Sequence, residues 1–421
     1  MNVMKKGLVI LIAIFCITLW TGTQAAFCEM SNYELMEELK ALKEKTKMLE
    51  DRLNKQEKVE TKEGTVEEGD KFHGGARGTP GIPERIRKIE KQMEKKRELG
   101  KWAEKITVSG VIEVEAGYEA MDFDDPAEDD EKSSDISLAT VELAVAMDIV
   151  KHVTGYVLFL YEEGEDLIVD EGIISIDGED VVPLYLNAGK MYVPFGYFAS
   201  HFISDPLTLE LGETRESAIV AGFANDMFDL SLGVFNGDIN KTDKENDHIG
   251  NFVANVVFTL PEDTVSGLGL TAGGSWISDI ADSNGLQDVL DEAGTDEIED
   301  YIPGWSAFLS VSFLDKFFFE AEYIAATDKF ENDDLGLAPG ERFEPKAWNL
   351  ELAYAVIENL EIAIKYEGSS DALNFIPEKQ YGAAVTYGLF ENTSLALEYL
   401  HGTFENDDER DLITAQLAIV F

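Results

Sequence analysis

The sequence predicts an all-β transmembrane barrel of about sixteen antiparallel strands, preceded by an N-terminal α-helical coiled-coil extension. Three observations predict it. From Arg410 to Phe421 the chain alternates strictly: Ile413, Ala415, Leu417, Ile419 and Phe421 fall on one parity, Thr414, Gln416 and Ala418 on the other. Such a strand has one apolar and one mixed face. The same period of two recurs from Ile106 onward, in segments near the length that crosses a bilayer at a tilt. The connections are alternately short and long, the pattern of periplasmic turns and external loops.

Composition narrows the function classes. The 421 residues carry a formal net charge of -49, which excludes a nucleic-acid partner, because phosphate contacts need basic side chains. A hydrophobic fraction of 45% argues for a folded body rather than a disordered acidic chain. About 13 basic and about 65 acidic residues follow Ile106, whereas 29–105 is nearly balanced, so the two parts face different surroundings.

Residues 1–25 read as a secretory signal: Lys5 and Lys6, a short apolar run, then small residues, with cleavage after Ala25. The apolar run is too short for a spanning helix. Cys16 lies in the leader, which leaves Cys28 alone and no internal disulfide; Phe27 is too bulky for a lipidation box. Residues 26–60 are predicted as a periplasmic coiled coil. Ser31 and Glu34 form a capping box, and Leu35, Leu39, Leu42, Leu49 and Leu53 make the seam, with Thr46 in the missing slot. Self-association through that seam implies a homo-oligomer. Residues 61–105 combine a Gly/Pro-rich linker with a second short helix, PERIRKIEKQMEKKREL.

Residues 106–421 are the predicted barrel. Its first strand sets Ile106, Val108, Ile112, Val114 and Tyr118 against Ser109, Glu113 and Glu115, and the next sets Val141, Leu143, Val145 and Met147 against Glu142, Ala144 and Asp148. Tyr and Trp on the apolar parity, among them Trp276, Trp305, Tyr323, Trp348 and Tyr366, suit the headgroup level. An even strand number puts both barrel ends, and the coiled coil, on the periplasmic side. The acid-rich loops, such as DFDDPAEDDE, then face outward toward lipopolysaccharide. The strand that closes on Phe421 resembles the closing strand of bacterial outer-membrane barrels, which implies that Phe421 acts as an assembly signal for the barrel-assembly machinery.

No catalytic constellation is found. His73, His152, His201, His248 and His401 are scattered without metal-ligand spacing, and neither a nucleophile elbow nor a phosphate loop occurs. No cofactor is predicted. The informative stretch is Gly189–Ser217, where Pro194, Gly196 and Pro206 interrupt the alternation. It has too many apolar residues for a free loop. It must pack against a wall, either the inner face of the barrel or its neighbours outside the membrane. Lys190, Phe195, Phe202, Asp205, Glu213 and Arg215 are the candidate residues of a pore constriction, with Arg215 and Lys190 supplying local positive charge.

The runs YVPFG and SDPLTLELGETRES, with the preceding VDEGIISI and the N-terminal architecture, resemble the LbtU-family siderophore porins. The resemblance implies a barrel of about sixteen strands with a periplasmic helical extension. It also implies passage of iron–siderophore complexes without a plug domain. Two alternatives stay open: a less specific porin for small solutes or anions, and a structural envelope tether with a closed barrel.

Overall fold

The structure, a computed structural model, describes residues 105–421 apart from 128, 179–180, 243–247, 262–263, 296, 331–341 and 373. The predicted signal segment, the Leu35–Leu53 seam, the Gly/Pro-rich linker and the second short helix therefore lie outside the described residues. Barrel strands in the first half are β1 (Ile106–Asp122), β2 (Glu131–Val150), β3 (Val153–Tyr161), β4 (Ile168–Asp177), β5 (Leu184–Tyr192), β6 (Arg215–Ala224), β7 (Phe228–Phe235) and β9 (Asn251–Thr259). The second half has β10 (Leu268–Ile277), β12 (Gly304–Phe313), β13 (Phe317–Ala326), β14 (Lys346–Ile357), β15 (Leu360–Ser370), β16 (Lys379–Phe390), β17 (Thr393–Thr403) and β18 (Glu409–Val420). These sixteen strands close into one antiparallel barrel, as the alternation predicts.

Closure is made by β1 against β18, in register from Val111 opposite Val420 to Asp122 opposite Glu409. Phe421 continues that seam, exchanging two backbone hydrogen bonds with Gly110 at 2.9 and 3.0 Å. Gly110 has to be glycine: a Cβ there would lie 2.5 Å from the Glu142 carbonyl and 2.7 Å from the Phe421 ring.

The outer surface follows from the period of two. Ile174, Leu232 and Ile364 are 59%, 69% and 57% exposed, an apolar exterior suited to lipid. Near the long-loop end Trp305 packs on Tyr323 at 5.3 Å and Trp348 on Tyr366 at 4.7 Å; near the short-turn end Phe317 packs on Tyr354 at 4.7 Å. The turn between β12 and β13 holds Leu314 and Asp315 at φ 55° and 52°, left-handed values that match the twist of a tight hairpin.

Two features depart from the alternation. β1 and β2 run on past the predicted apolar stretch, so that Ser133–Ser137 pairs with Glu115–Glu119 and the acidic tip is shorter than expected. A hairpin rising into solvent needs no apolar face, which is why periodicity did not reveal it. The connection from β10 to β12 is the second. It contains a 3-10 turn (Ile280–Asp282), helix α2 (Asn284–Ala293) and the short β11 (Glu297–Ile298), which pairs with β8 (Asn240–Lys241). Ile280, Leu286, Leu290 and Ile298 are fully buried there. They join Met191, Phe195, Leu211, Phe235 and Ile324 in one apolar cluster at the long-loop end of the barrel. Helix α1 (Leu207–Gly212), in the connection from β5 to β6, packs on α2. A Cβ at Gly285 would lie 2.0 Å from the Glu210 carbonyl, so the two helices touch backbone to backbone.

Candidate pore constriction

After β5 the chain turns into the barrel. The Val193 N–H donates to the Thr214 carbonyl, and Val193 and Phe195 are buried in the apolar cluster. From Val193 to Pro206 there is no regular secondary structure. Irregular backbone inside a membrane protein needs acceptors for its N–H groups, because neither lipid nor helix supplies them.

The wall formed by β13, β14, β15 and β17 supplies them as inward glutamates. Glu322 accepts the Tyr197 and Phe198 N–H groups at 2.7 and 2.9 Å and the Thr208 hydroxyl at 3.1 Å. Glu351 accepts the Ser200 hydroxyl at 2.8 Å and the His201 N–H at 2.7 Å. Glu398 accepts the Ile203 and Ser204 N–H groups at 2.8 and 3.1 Å, together with the Ser204 hydroxyl. Glu367 accepts the Leu207 N–H at 2.9 Å. The segment thus crosses the wall from β13 to β17 and returns to β15. A hydrogen bond contributes about 1 kcal/mol net, and more where one partner is charged; acting together, these bonds hold a helix-free stretch in one place.

One cation balances this wall. The Lys365 Nζ is fully buried, 3.3 Å from Glu351 and 3.5 Å from Glu367. It also donates to the Ser204 carbonyl at 3.3 Å and lies 4.8 Å from the centre of the Phe202 ring. Phe202 packs on Ala353, Ala363 and Ala384, whose small side chains leave room for the ring. Tyr197 stacks on Phe308 at 4.2 Å with planes 3° apart.

The β1–β4 wall, which adjoins β17 through β18, is also acidic. Glu113 and Glu115 on β1 and Glu142 on β2 fall on the parity opposite the exposed aliphatics Ile112, Val114 and Leu143. Glu171 on β4 stands opposite Leu158 of β3. Glu113 lies within electrostatic range of Glu115, Glu142 and Asp205. β1, β3 and β4 contain no Lys or Arg, and β2 has only Lys132, next to its first residue.

The candidates named from sequence separate in the structure. Phe202 and Asp205 belong to the inserted tip. Burial pushes the Asp205 carboxyl above its ordinary range; Lys365 opposes that shift and Glu398 adds to it. Phe195 is 2% exposed and belongs to the apolar cluster rather than to an open lumen. Glu213, at the end of α1, accepts from the Asn284 amide at 3.1 Å. Burial, reinforced by Asp205, pushes its carboxyl up to about 7. The expected lumenal positive charge is corrected. Lys190 is exposed on the outward parity of Leu184 and Leu186, and Arg215, on the parity of exposed Ser217 and Ile219, is ion-paired with Asp170. Phe421 is exposed at the β1–β18 seam.

Sequence reasoning missed Glu322, Glu351, Glu367, Glu398, Lys365 and His201 as a group. A signal existed: each wall residue stands on the parity opposite an aromatic or Leu in FFFEAEYIAA, NLELAY, IKYEG or LALEYL. Nothing local said that their partner lies in Tyr197–Thr208. Among the described residues no group of three His, Cys, Asp or Glu side chains converges to hold a metal ion.

No protein-family model matches the chain. It is 24% identical over 314 residues to a UPF0422 protein of Legionella pneumophila, covering 67% of this chain and 57% of that one. A UPF0422 protein of Coxiella burnetii is 27% identical over 285 residues, covering 64% and 59%. The chain thus spans less than two thirds of the length of these relatives. Among solved structures it is similar to the outer membrane channel DcaP of Acinetobacter baumannii, with a TM-score of 0.51 at 14% identity, over 75% of this chain and 97% of that one. It is also similar to an anion-selective porin from Comamonas acidovorans, with a TM-score of 0.52 at 11% identity, over 75% and 99%. These likenesses concern the fold: a closed, porin-like barrel of sixteen strands.

Proposed function

We propose that the chain forms a porin-like channel of the bacterial outer membrane, through which small solutes pass by diffusion. The observation that carries this reading is the closed barrel, with the segment 194–214 clamped to its inward glutamates, which we read as the element that narrows the lumen. The acidic β1–β4 wall lines another part of the same barrel. In a narrow low-dielectric passage such a wall raises the local concentration of cations and repels anions. Cation preference is therefore our reading, in contrast to the anion selectivity of the Comamonas porin. The resemblance of residues 169–217 to siderophore porins supports iron–siderophore complexes as a larger cargo, with the helical extension in the periplasm and self-association through its leucine seam.

A second reading is favoured by the apolar cluster that fills part of the long-loop end: a sealed barrel that anchors a periplasmic tether. Planar-bilayer recording of the full chain separates the two. Steps of fixed conductance with a cation-directed reversal potential in a salt gradient support the channel. A concentration-dependent block by ferri-siderophore supports that cargo. A barrel that folds yet stays silent overturns the channel in favour of the tether.

A further inference from the structure

The clamp contains one unlike member. Glu322, Glu351, Glu367 and Glu398 hold backbone N–H groups, which do not titrate. Glu361, on β15, instead meets a side chain: its Oε1 is 2.9 Å from the Nδ1 of His201, at the tip of the inserted segment. The Nε2 of the same ring is 3.9 Å from Glu320 on β13, and the His201 backbone N–H donates to Glu351 on β14 at 2.7 Å. The ring lies against Phe318 of β13 at 5.3 Å. Three carboxylates from three consecutive strands therefore surround one imidazole. Lys365 of β15, the buried cation of this wall, is already placed between Glu351 and Glu367.

We propose that His201 is a pH-sensitive latch that fastens the tip of the constriction segment to the β13–β15 wall through Glu361 and Glu320. The protonated ring presents an N–H from both nitrogens and offsets the charge of Glu320, Glu351 and Glu361. When the proton leaves to water, one N–H and the positive charge are lost together, and Glu361 keeps at most a neutral donor. The remaining wall is then like-charged around the tip, and the segment's hold is reduced to its backbone hydrogen bonds. Glu361 raises the imidazole pKa above its ordinary 6.5 against the opposing effect of burial, and Glu351 and Glu320 add to the rise. A raised histidine stabilises the folded tip below the unfolded value of 6.5 and ceases to do so as pH rises through the higher folded value. The latch is thus closed in mildly acidic surroundings and open in alkaline ones.

The test has two readouts on the full chain folded in detergent. Amide exchange of residues 197–208, corrected for the intrinsic pH dependence of exchange, reports the latch whether or not the barrel conducts. Protection should fall as pH is raised from 6 to 9, by about tenfold for each pKa unit that the latch adds. H201Q should abolish that pH dependence, and E361Q should move its midpoint toward 6.5. In bilayers the same pH change should add flicker or raise conductance, an effect absent from H201Q. An H201Q exchange profile with wild-type pH dependence, or wild-type protection flat from pH 6 to 9, overturns the latch. A silent barrel with the expected exchange profile overturns the channel reading and leaves the latch standing.

Discussion

Replacing Lys365 by methionine removes one charge from a site with no access to water. The side chain is 0% exposed, and so is that of each of its two carboxylate partners, Glu351 and Glu367. Methionine keeps the volume and the contact with Phe202, so the change is electrostatic rather than a cavity. Removing one partner of a buried ion pair costs about 3–5 kcal/mol, since the charge left behind is uncompensated. The two bared carboxylates also hold the His201 and Leu207 N–H groups. The cost therefore falls on the inserted segment, whereas the ladder between β14 and β15 stays paired. At about 1.36 kcal/mol per tenfold, local opening of residues 200–207 should become more frequent by roughly two to four orders of magnitude. Amide exchange of that stretch measures it, with amides of β9 and β10 as an internal control. Bilayer recordings should show a larger or noisier conductance. If exchange of 200–207 in K365M equals wild type while the barrel assembles, the claim that this cation holds the constriction is refuted.

Three further outcomes follow from the same geometry. E113Q combined with E142Q should shift the reversal potential toward anions, and a potential unchanged in the double variant removes the β1–β4 wall as the selectivity element. Deleting 198–210 should raise conductance severalfold in a barrel that still assembles, and equal conductance would place the segment outside the current path. Glu213 ionises at about 7 in the fold against an ordinary 4.5, so the folded state holds its proton more tightly and loses stability as pH rises through that window. E213Q should accordingly be more resistant to urea than wild type at pH 8 and indistinguishable from it near pH 4; a constant difference at both pH values would contradict the burial argument.

The parts legible in sequence are those fixed by local chemistry. Strand parity placed Ile413, Leu417 and Ile419 outside and Thr414 inside, because a strand alternates whatever its partners are. Pro194, Gly196 and Pro206 marked the place where pairing stops and the chain turns inward. The charges were not legible in the same way. Arg215 and Lys190 stood out by rarity in an acidic chain, but rarity carries no direction. Register with Tyr192 and Gly172 sends both to the outer parity. Lys365 looked like one more strand residue in IKYEG, and its weight comes from Glu351, on another strand, and from Ser204, far away in the chain. The burial of Leu286 and Leu290 was hidden for a similar reason, since the cluster that covers them draws on several separate connections.

The contacts between the segment and its wall span long stretches of chain: 125 residues between Tyr197 and Glu322, and 195 between Ile203 and Glu398. Closing loops of that size is entropically late, so the wall strands have to be in place before the segment can find its acceptors. A chain assembling from its first strand onward carries this segment for most of the process without anything to fasten it to. The seating of the segment is therefore a product of completion. A barrel arrested before β17 would have its gauge set by the sheet alone, and any change to Glu398 would be felt as a delay at the last stage of assembly before it is felt in the mature molecule.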